Sequence, residues 1–386
     1  MRKISKADLI WYWFVNMENV GIRSLWLLLD HFGHPAAVRE AGRKELSEFL
    51  KNRQIDSVFG SLEKGDERKS IESLDRDGIH FIHWESEEYP ERLRHIFQPP
   101  LALYYRGTFP NPGLPSLAMV GSRRAPNYGR SVARNFAGEL SEAGIQIISG
   151  LAAGVDTESH KGALEAGGYT AGVLGGGIDT VYPQANYNLY RQMYAEGGVI
   201  SEYNRGIPNF SGLFPMRNRI ISGLSDGVFV LEAGEKSGSL ITADLGLEQG
   251  REIFALPGRT TDKLSRGCNW LIRQGAIPVD SVEDILSHLT GVPGPSDRKG
   301  QNVRKDNDRK DNDRDREDFR EQDNTEQRAL DLILNQLDVI KPFSLTDLVE
   351  RTKMDPWEVR SLLLKLELSG KIRQPVQGMY LRKIDS

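Results

Sequence analysis

A single cysteine, Cys268, occurs in 386 residues, so neither an intrachain disulfide nor a multi-cysteine metal cluster can form. No histidine neighbours it in sequence, and its thiol reads as incidental. No window approaches the ~18 uninterrupted apolar residues of a membrane span. The apolar start Leu9–Val15 holds Trp11, Tyr12 and Trp13 and has no small-residue cleavage site, which makes it a poor secretory signal. Excess positive charge is missing too: 50 Lys and Arg against 54 Asp and Glu leave a formal charge of -4. That balance gives no support for non-specific polyanion binding by the chain as a whole. The expectation is a soluble, cytoplasmic chain with no metal and no cofactor, of two or three domains at roughly 150 residues each.

What is present divides the chain by composition. Residues 297–328 carry 10 Lys and Arg against 11 Asp and Glu, with only Val303 and Phe319 as large apolar residues. Such a stretch buries too little surface to offset the entropy of ordering and reads as a flexible linker. Gly291-Val-Pro-Gly-Pro-Ser296 breaks any helix before it. The expected parts are therefore an N-terminal helical domain over 1–80, an α/β domain over 81–290, a charged linker over 291–324 and a small domain over 325–386. In the first part Leu25, Leu28, Leu29 and Phe32 keep helical spacing, with Gly33 as a C-cap. Asn19-Val20-Gly21-Ile22-Arg23 is either the hairpin of a helix-hairpin-helix, whose amides hold DNA phosphate, or an ordinary connection between helices.

Residues 112–290 alternate apolar runs and helical patterns in the rhythm of βαβ units. The expected strands are 117–120, 145–149, 170–174, 199–202, 227–232 and 252–256, forming a doubly wound parallel sheet with helices on both faces. Such sheets bind ligands beyond the carboxyl ends of their strands, where the strand order reverses. The turns there are Gly-rich: Gly121-Ser122-Arg123-Arg124, then Ser149-Gly150 to Gly154-Val155-Asp156, then Gly175-Gly176-Gly177. Glycine lets a ligand approach the backbone, and amides at a helix start attract anions. Arg217-Asn218-Arg219 adds two planar guanidinium forks, and Lys236-Ser237-Gly238-Ser239 opens another helix. Because 112–290 holds 15 Lys and Arg against 18 Asp and Glu, any nucleic-acid footprint must be local. It would draw on Arg123, Arg124, Arg217, Arg219 and Lys236, with no aromatic ladder evident. Asp156 and His160, four apart on a helix, specify no nucleophile and no third partner. Glu232, at a strand end, is placed to act on a sugar or base.

These segments resemble the DNA-processing protein A family (DprA, also called Smf). The resemblance rests on Tyr89-Pro90, Pro99-Pro100-Leu-Ala-Leu-Tyr104, Gly121-Ser-Arg123, Ser149–Asp156, Leu174-Gly-Gly-Gly177, Ser201-Glu202-Tyr203, Phe214–Ile221, Ser237-Gly-Ser239 and Leu256-Pro-Gly258. It covers about residues 85–290, in order. It implies an extended Rossmann-like domain that binds single-stranded DNA without catalysis, protects incoming strands in natural transformation (competence), and loads RecA recombinase onto them as a homodimer. The implied DNA contacts are Gly121, Ser122, Arg123, Ser149, Gly150, Gly154, Asp156, Gly175, Gly176, Gly177, Arg217, Asn218, Arg219, Lys236, Ser237, Gly238 and Ser239.

A related class on this fold hydrolyses nucleotide phosphoribosides through a Pro-Gly-Gly-x-Gly-Thr turn, where this chain has Glu232–Ser239. Its candidate acid and base here would be Glu232 and Asp156; a nucleotide sensor without turnover is a third alternative. Residues 325–386 read as a winged helix. Leu330, Ile333 and Leu334 mark a first helix, Ser344 caps a second, Pro356 starts a third, and Ile372–Leu381 form the wing. Only Arg360 and Lys365, offset by Glu358 and Glu367, are available on the third helix for a DNA groove, so protein contact is an equal alternative to duplex binding.

Overall fold

In the computed structural model the described residues are 4–289 (Ser211 excepted) together with 330, 332–334, 336, 337, 343–352, 354, 359, 362, 363, 366, 371–376 and 379–382. The expected linker over 291–324 lies outside them, as do Pro356, Glu358, Arg360, Lys365 and Glu367. The described residues fall into two compact units that divide after Gln301.

Six helices open the first unit: α1 (Lys6–Val15), α2 (Ile22–Phe32), α3 (Pro35–Glu40), α4 (Arg43–Leu46), α5 (Asn52–Lys64) and α6 (Glu67–Arg76). A capping box starts α1, with the Asp8 amide donating to Ser5 Oγ at 3.0 Å and the Ser5 amide to Asp8 Oδ2 at 2.7 Å. Trp11, Tyr12, Trp13 and Phe14 are all buried, so the apolar start is a core helix wrapped on every side. Within Asn19–Arg23 the turn ends at Gly21, the N-cap of α2, and Ile22 and Arg23 already belong to that helix. Its flank is held by α5, where the Ser57 hydroxyl donates to the Glu18 carbonyl and the Gln54 amide to that of Asn19.

A nine-stranded sheet follows. Its strands are β1 (His80–His83), β2 (Ala102–Gly107), β3 (Ser116–Val120), β4 (Gln146–Ser149), β5 (Thr170–Val173), β6 (Gly198–Ser201), β7 (Gly227–Val230), β8 (Glu252–Ala255) and β9 (Ile277–Pro278). Their order is 1-2-6-5-4-3-7-8-9. All pairs from β6 through to β9 are parallel, whereas β1 and β2 join antiparallel at one edge. The six expected strands all form. The edge strand β1, its neighbour β2 and the two-residue edge strand β9 add to them. The connecting helices are α7 (Glu91–Arg94), α8 (Asn127–Glu142), α9 (Val155–Glu165), α10 (Tyr187–Glu196), α11 (Leu213–Gly223), α12 (Gly238–Glu248), α13 (Arg266–Arg273) and α14 (Val282–Leu286).

Alternation along the strands assigns the two faces. Leu117, Met119, Ile147 and Phe229 pack with Ala133, Ala137 and Leu140 of α8, Val155 of α9 and Ile285 of α14. Ala118, Val120, Ile148 and Val228 face the other way, onto Leu93 of α7, Ile220 and Ile221 of α11, Leu240 of α12 and Cys268 of α13. Phe81, Tyr104 and Val199, near the antiparallel edge, share a third core with α10 and the N-terminal helices. The chain runs outward from β3 to β6 and then returns to β7, so the strand order reverses between β3 and β7. Among the described residues no helix is long and apolar enough to cross a membrane.

The second unit contains β10 (Phe343–Ser344), α15 (Leu345–Thr352), β11 (Ile372–Val376) and β12 (Met379–Arg382), in sheet order 10-12-11. Ile333, Leu348, Val359, Leu362, Leu363, Leu366 and Ile372 form its core.

Candidate nucleic-acid interface

A cavity of about 660 Å³ opens where the strand order reverses, beyond the carboxyl ends of β3 and β7. Five segments converge on it. The turn after β3 contributes Gly121, Ser122 and Arg123, and the turn into α9 contributes Ala152 and Asp156. Tyr182 follows β5. Asn209, Phe214, Pro215, Arg217, Asn218 and Ile221 come from the segment after β6 and from α11. Ser237, Gly238, Ser239, Ile241 and Thr242 form the start of α12.

Arg123 is exposed, and its guanidinium lies over the Phe214 ring at 4.9 Å from the centroid. Tyr182 stands next to Phe214 with ring centroids 5.8 Å apart. The wall therefore offers a cation on an aromatic plane, which matches a phosphate next to a base. Across from it, Ser237 caps α12 and its Oγ lies 2.7 Å from Ser239 Oγ, leaving the positive end of an eleven-residue helix at the cavity.

Arg217 is only 5% exposed. Its guanidinium donates to the Gly150 carbonyl at 2.7 Å and to the Val173 carbonyl, and its Nε donates to Asn218 Oδ1 at 3.2 Å. The side chain thus ties the ends of β4 and β5 together. Burial lowers its pKa to about 10, with the Asp156 carboxylate opposing the shift, so it stays charged at neutral pH. Gly150 must be glycine for this, because a Cβ there would come within 2.5–2.7 Å of the guanidinium. Asp156 accepts from the Gly150 and Ala152 amides at 3.2 and 3.4 Å, and burial pushes its carboxyl up. Its place is to hold the turn into α9.

Residues 80–290 match the family model for DNA recombination-mediator protein A, and residues 320–376 match the DprA winged helix domain. Protein Smf of Escherichia coli is 39% identical over 321 residues, 82% of this chain and 81% of that protein. The chain belongs to the DprA/Smf family. DNA processing protein DprA of Streptococcus pneumoniae is 44% identical over 202 residues, 52% of this chain and 71% of that protein. The X-ray structure of DNA processing protein A from the same organism matches with a TM-score of 0.63 at 31% identity, covering 75% of this chain and 99% of that one.

In this DprA/Smf chain the expected site residues separate into two sets. Gly121, Ser122, Arg123, Asp156, Arg217, Asn218, Ser237, Gly238 and Ser239 line the cavity. Ser149 does not: it is buried, and its Oγ donates to the Met119 carbonyl at 2.5 Å. Gly154, at φ +86°, packs its backbone on Ser122 and Arg123. Gly175, Gly176 and Gly177 are buried against Phe214, Asn209 and Asn204, so they seat the segment after β6 and do not meet solvent. Arg219 points away from the cavity, its Nη2 2.7 Å from Glu202 Oε1 in a buried ion pair. Lys236 lines an adjacent cavity with Trp270, Arg266 and Arg273.

The structure refines further expectations. Arg217 and Arg219 fall inside α11, a place the sequence allows, but both are buried. Aromatic faces are present, supplied by Tyr182 and Phe214. Sequence reasoning missed the role of both, although each stands directly before a proline, Tyr182 in the connection after β5 and Phe214 at the start of α11. Finally, Asp156 and Glu232 occupy different cavities: Glu232 lines one with Arg124, Tyr128 and Lys263. His160 is buried away from both, with Nδ1 2.6 Å from Thr170 Oγ1.

Proposed function

We propose that this DprA/Smf chain binds single-stranded DNA in the cavity between β3 and β7, as a DNA-processing protein that performs no covalent chemistry. The observation that carries the reading is the convergence of Arg123 on Phe214, of Tyr182 and of the α12 N-terminus on one open cavity. A phosphate needs the cation and the amides, and an unstacked base needs the ring faces. Phosphoribohydrolysis is the weaker reading, because its two candidate carboxylates share no cavity. The family resemblance extends the proposal to a cytoplasmic homodimer that protects incoming strands in natural transformation and loads RecA recombinase onto them.

Titrating oligothymidylate and nucleoside monophosphates over a range of salt tests it. Each phosphate neutralised contributes roughly -0.7 to the slope of log affinity against log salt. Stacking on Phe214 and Tyr182 leaves a salt-insensitive remainder of about 1–3 kcal/mol per base. A flat salt response, or release of free base from the monophosphates, overturns the reading.

A further inference from the structure

We propose that the cavity floored by Glu232 is a guanine-binding subsite, taking a base of the bound strand or of a free guanine nucleotide. The idea rests on the single-strand reading only in its first form.

The cavity has a volume of about 1010 Å³ and lies beyond β7 and β8, on the other side of the Arg123–Arg124 turn from the switch-point cavity. Glu232 is 6% exposed and lines it, and among the described residues neither a hydrogen bond nor an ion pair holds its carboxyl group. With no protein partner among these residues, the carboxyl oxygens turn into the cavity and are open to a ligand that donates hydrogen bonds. Room for it is built in. A Cβ on Gly129 would come within 2.6 Å of Glu232 Cγ and 2.7 Å of Oε1. The facing loop is fixed as well: Asn269 Nδ2 donates to the Gly258 carbonyl at 2.9 Å, and the Gly258 amide returns to Asn269 Oδ1 at 3.1 Å.

The chemistry of the lining selects the ligand. An ionised carboxylate only accepts hydrogen bonds. Guanine offers two adjacent donors on its pairing edge, N1–H and the N2 amine. Adenine and cytosine set a ring-nitrogen acceptor beside their amine, and thymine flanks its N–H with carbonyl oxygens. Tyr128, 64% exposed at the rim, gives a face on which the base stacks. Arg124, Arg259 and Lys263 outnumber Glu232 and Asp262 in the lining, which favours an anionic ligand over an amine. The sixteen-residue helix α8 also begins at this rim without a side-chain cap, so its first amides face the same space. Since Arg123 and Arg124 are consecutive, one strand can pass from the first cavity into the second.

The test uses the full chain and fluorescence anisotropy, with an oligothymidylate, the same oligomer carrying one central guanine, and guanosine monophosphate. The guanine oligomer is expected to bind about tenfold tighter than oligothymidylate, the scale of a charged hydrogen bond. Glu232→Gln should remove that preference and leave oligothymidylate binding unchanged. Tyr128→Ala, a change at an exposed position, should also reduce it, and it keeps the test open if the glutamine variant does not fold. Equal binding of the two oligomers by the wild-type chain overturns the subsite. If neither oligomer binds but guanosine monophosphate does, and that binding is lost in Glu232→Gln, the single-strand reading fails while the subsite stands for free nucleotide. Binding of none of the three overturns both.

Discussion

Arg217 and Arg123 line the same cavity, and alanine in place of each is expected to fail in different ways. Arg217→Ala removes the donor from the buried Gly150 and Val173 carbonyls and the nearby positive charge from buried Asp156. An orphaned buried acceptor costs about 1–3 kcal/mol, and breaking a buried charged network about 3–5 kcal/mol. A destabilisation of about 3–5 kcal/mol lowers the melting temperature of a domain this large by about 10 °C. Arg123→Ala removes an exposed side chain that rests on Phe214, so its melting should stay within about 0.5 kcal/mol of the wild type. Its cost appears in DNA affinity, where a charged hydrogen bond to phosphate is worth on the order of 1.5–3 kcal/mol, tenfold or more. Calorimetry and anisotropy on oligothymidylate, read well below both transitions, separate the two. An Arg217→Ala protein that melts with the wild type but loses DNA, beside an Arg123→Ala protein that binds normally, would refute the assignment.

Three other outcomes follow from the same geometry. Burial lowers the His160 pKa from 6.5 to about 3, so between those values the unfolded chain binds the extra proton; the stability is whole above 6.5 and is lost as the pH falls towards 3, at about 1.4 kcal/mol per unit. Denaturant titrations of His160→Asn should show a shallower acid slope, and an unchanged slope would exclude His160 as its source. Arg219→Met alone leaves Glu202 unpaired and should cost about 3–5 kcal/mol, whereas adding Glu202→Leu should recover most of it without altering DNA affinity; no recovery would refute the pair's isolation from the site. Removing the residues after Gly291 should preserve a folded core and most single-strand affinity, because every residue lining the cavity precedes the cut; a loss of more than about tenfold, some 1.4 kcal/mol, would move the site.

The sheet was legible because its buried strands are short apolar runs that lead into Gly-rich or polar turns, from Leu117-Ala-Met-Val120 to Gly227-Val-Phe-Val230. Strands β1 and β2 escaped notice: His80-Phe-Ile-His83 does not alternate cleanly, and β2 follows Pro99-Pro100 within what read only as a motif. The location of the site was also readable, since it depends on where strands end. The role of each side chain was not. Arg217 and Arg219 are two apart on α11, and two residues turn a helix by roughly 200°. They therefore cannot share a face: one reaches the ends of β4 and β5, the other Glu202. Likewise a Gly-rich turn has the same sequence whether a ligand or the protein itself fills the space, and at Gly175–Gly177 it is the segment after β6: the Phe214 and Asn209 side chains and the backbone at Asn204 and Ile207.

That segment links the N-terminal helices to the cavity. The Gly177 amide donates to the Ile207 carbonyl at 2.7 Å, and the Ile178 amide to that of Tyr203 at 3.2 Å, which docks the segment after β6 on the triglycine turn. From its other side, Asn204 Nδ2 donates to Tyr12 Oη at 2.8 Å and to Asn16 Oδ1 at 2.9 Å. Arg205 pairs with Asp77 and donates to Ser73 Oγ at 3.2 Å. The same segment then presents Asn209 and Phe214 to the cavity. Helices α1 and α6 therefore position one wall of the candidate site from a distance, through a loop held on both sides. In a unit whose parallel-sheet region carries more acid than base, this is how an anion site can form: a few groups are fixed in place by neutral packing, with no need for a field of surface charge.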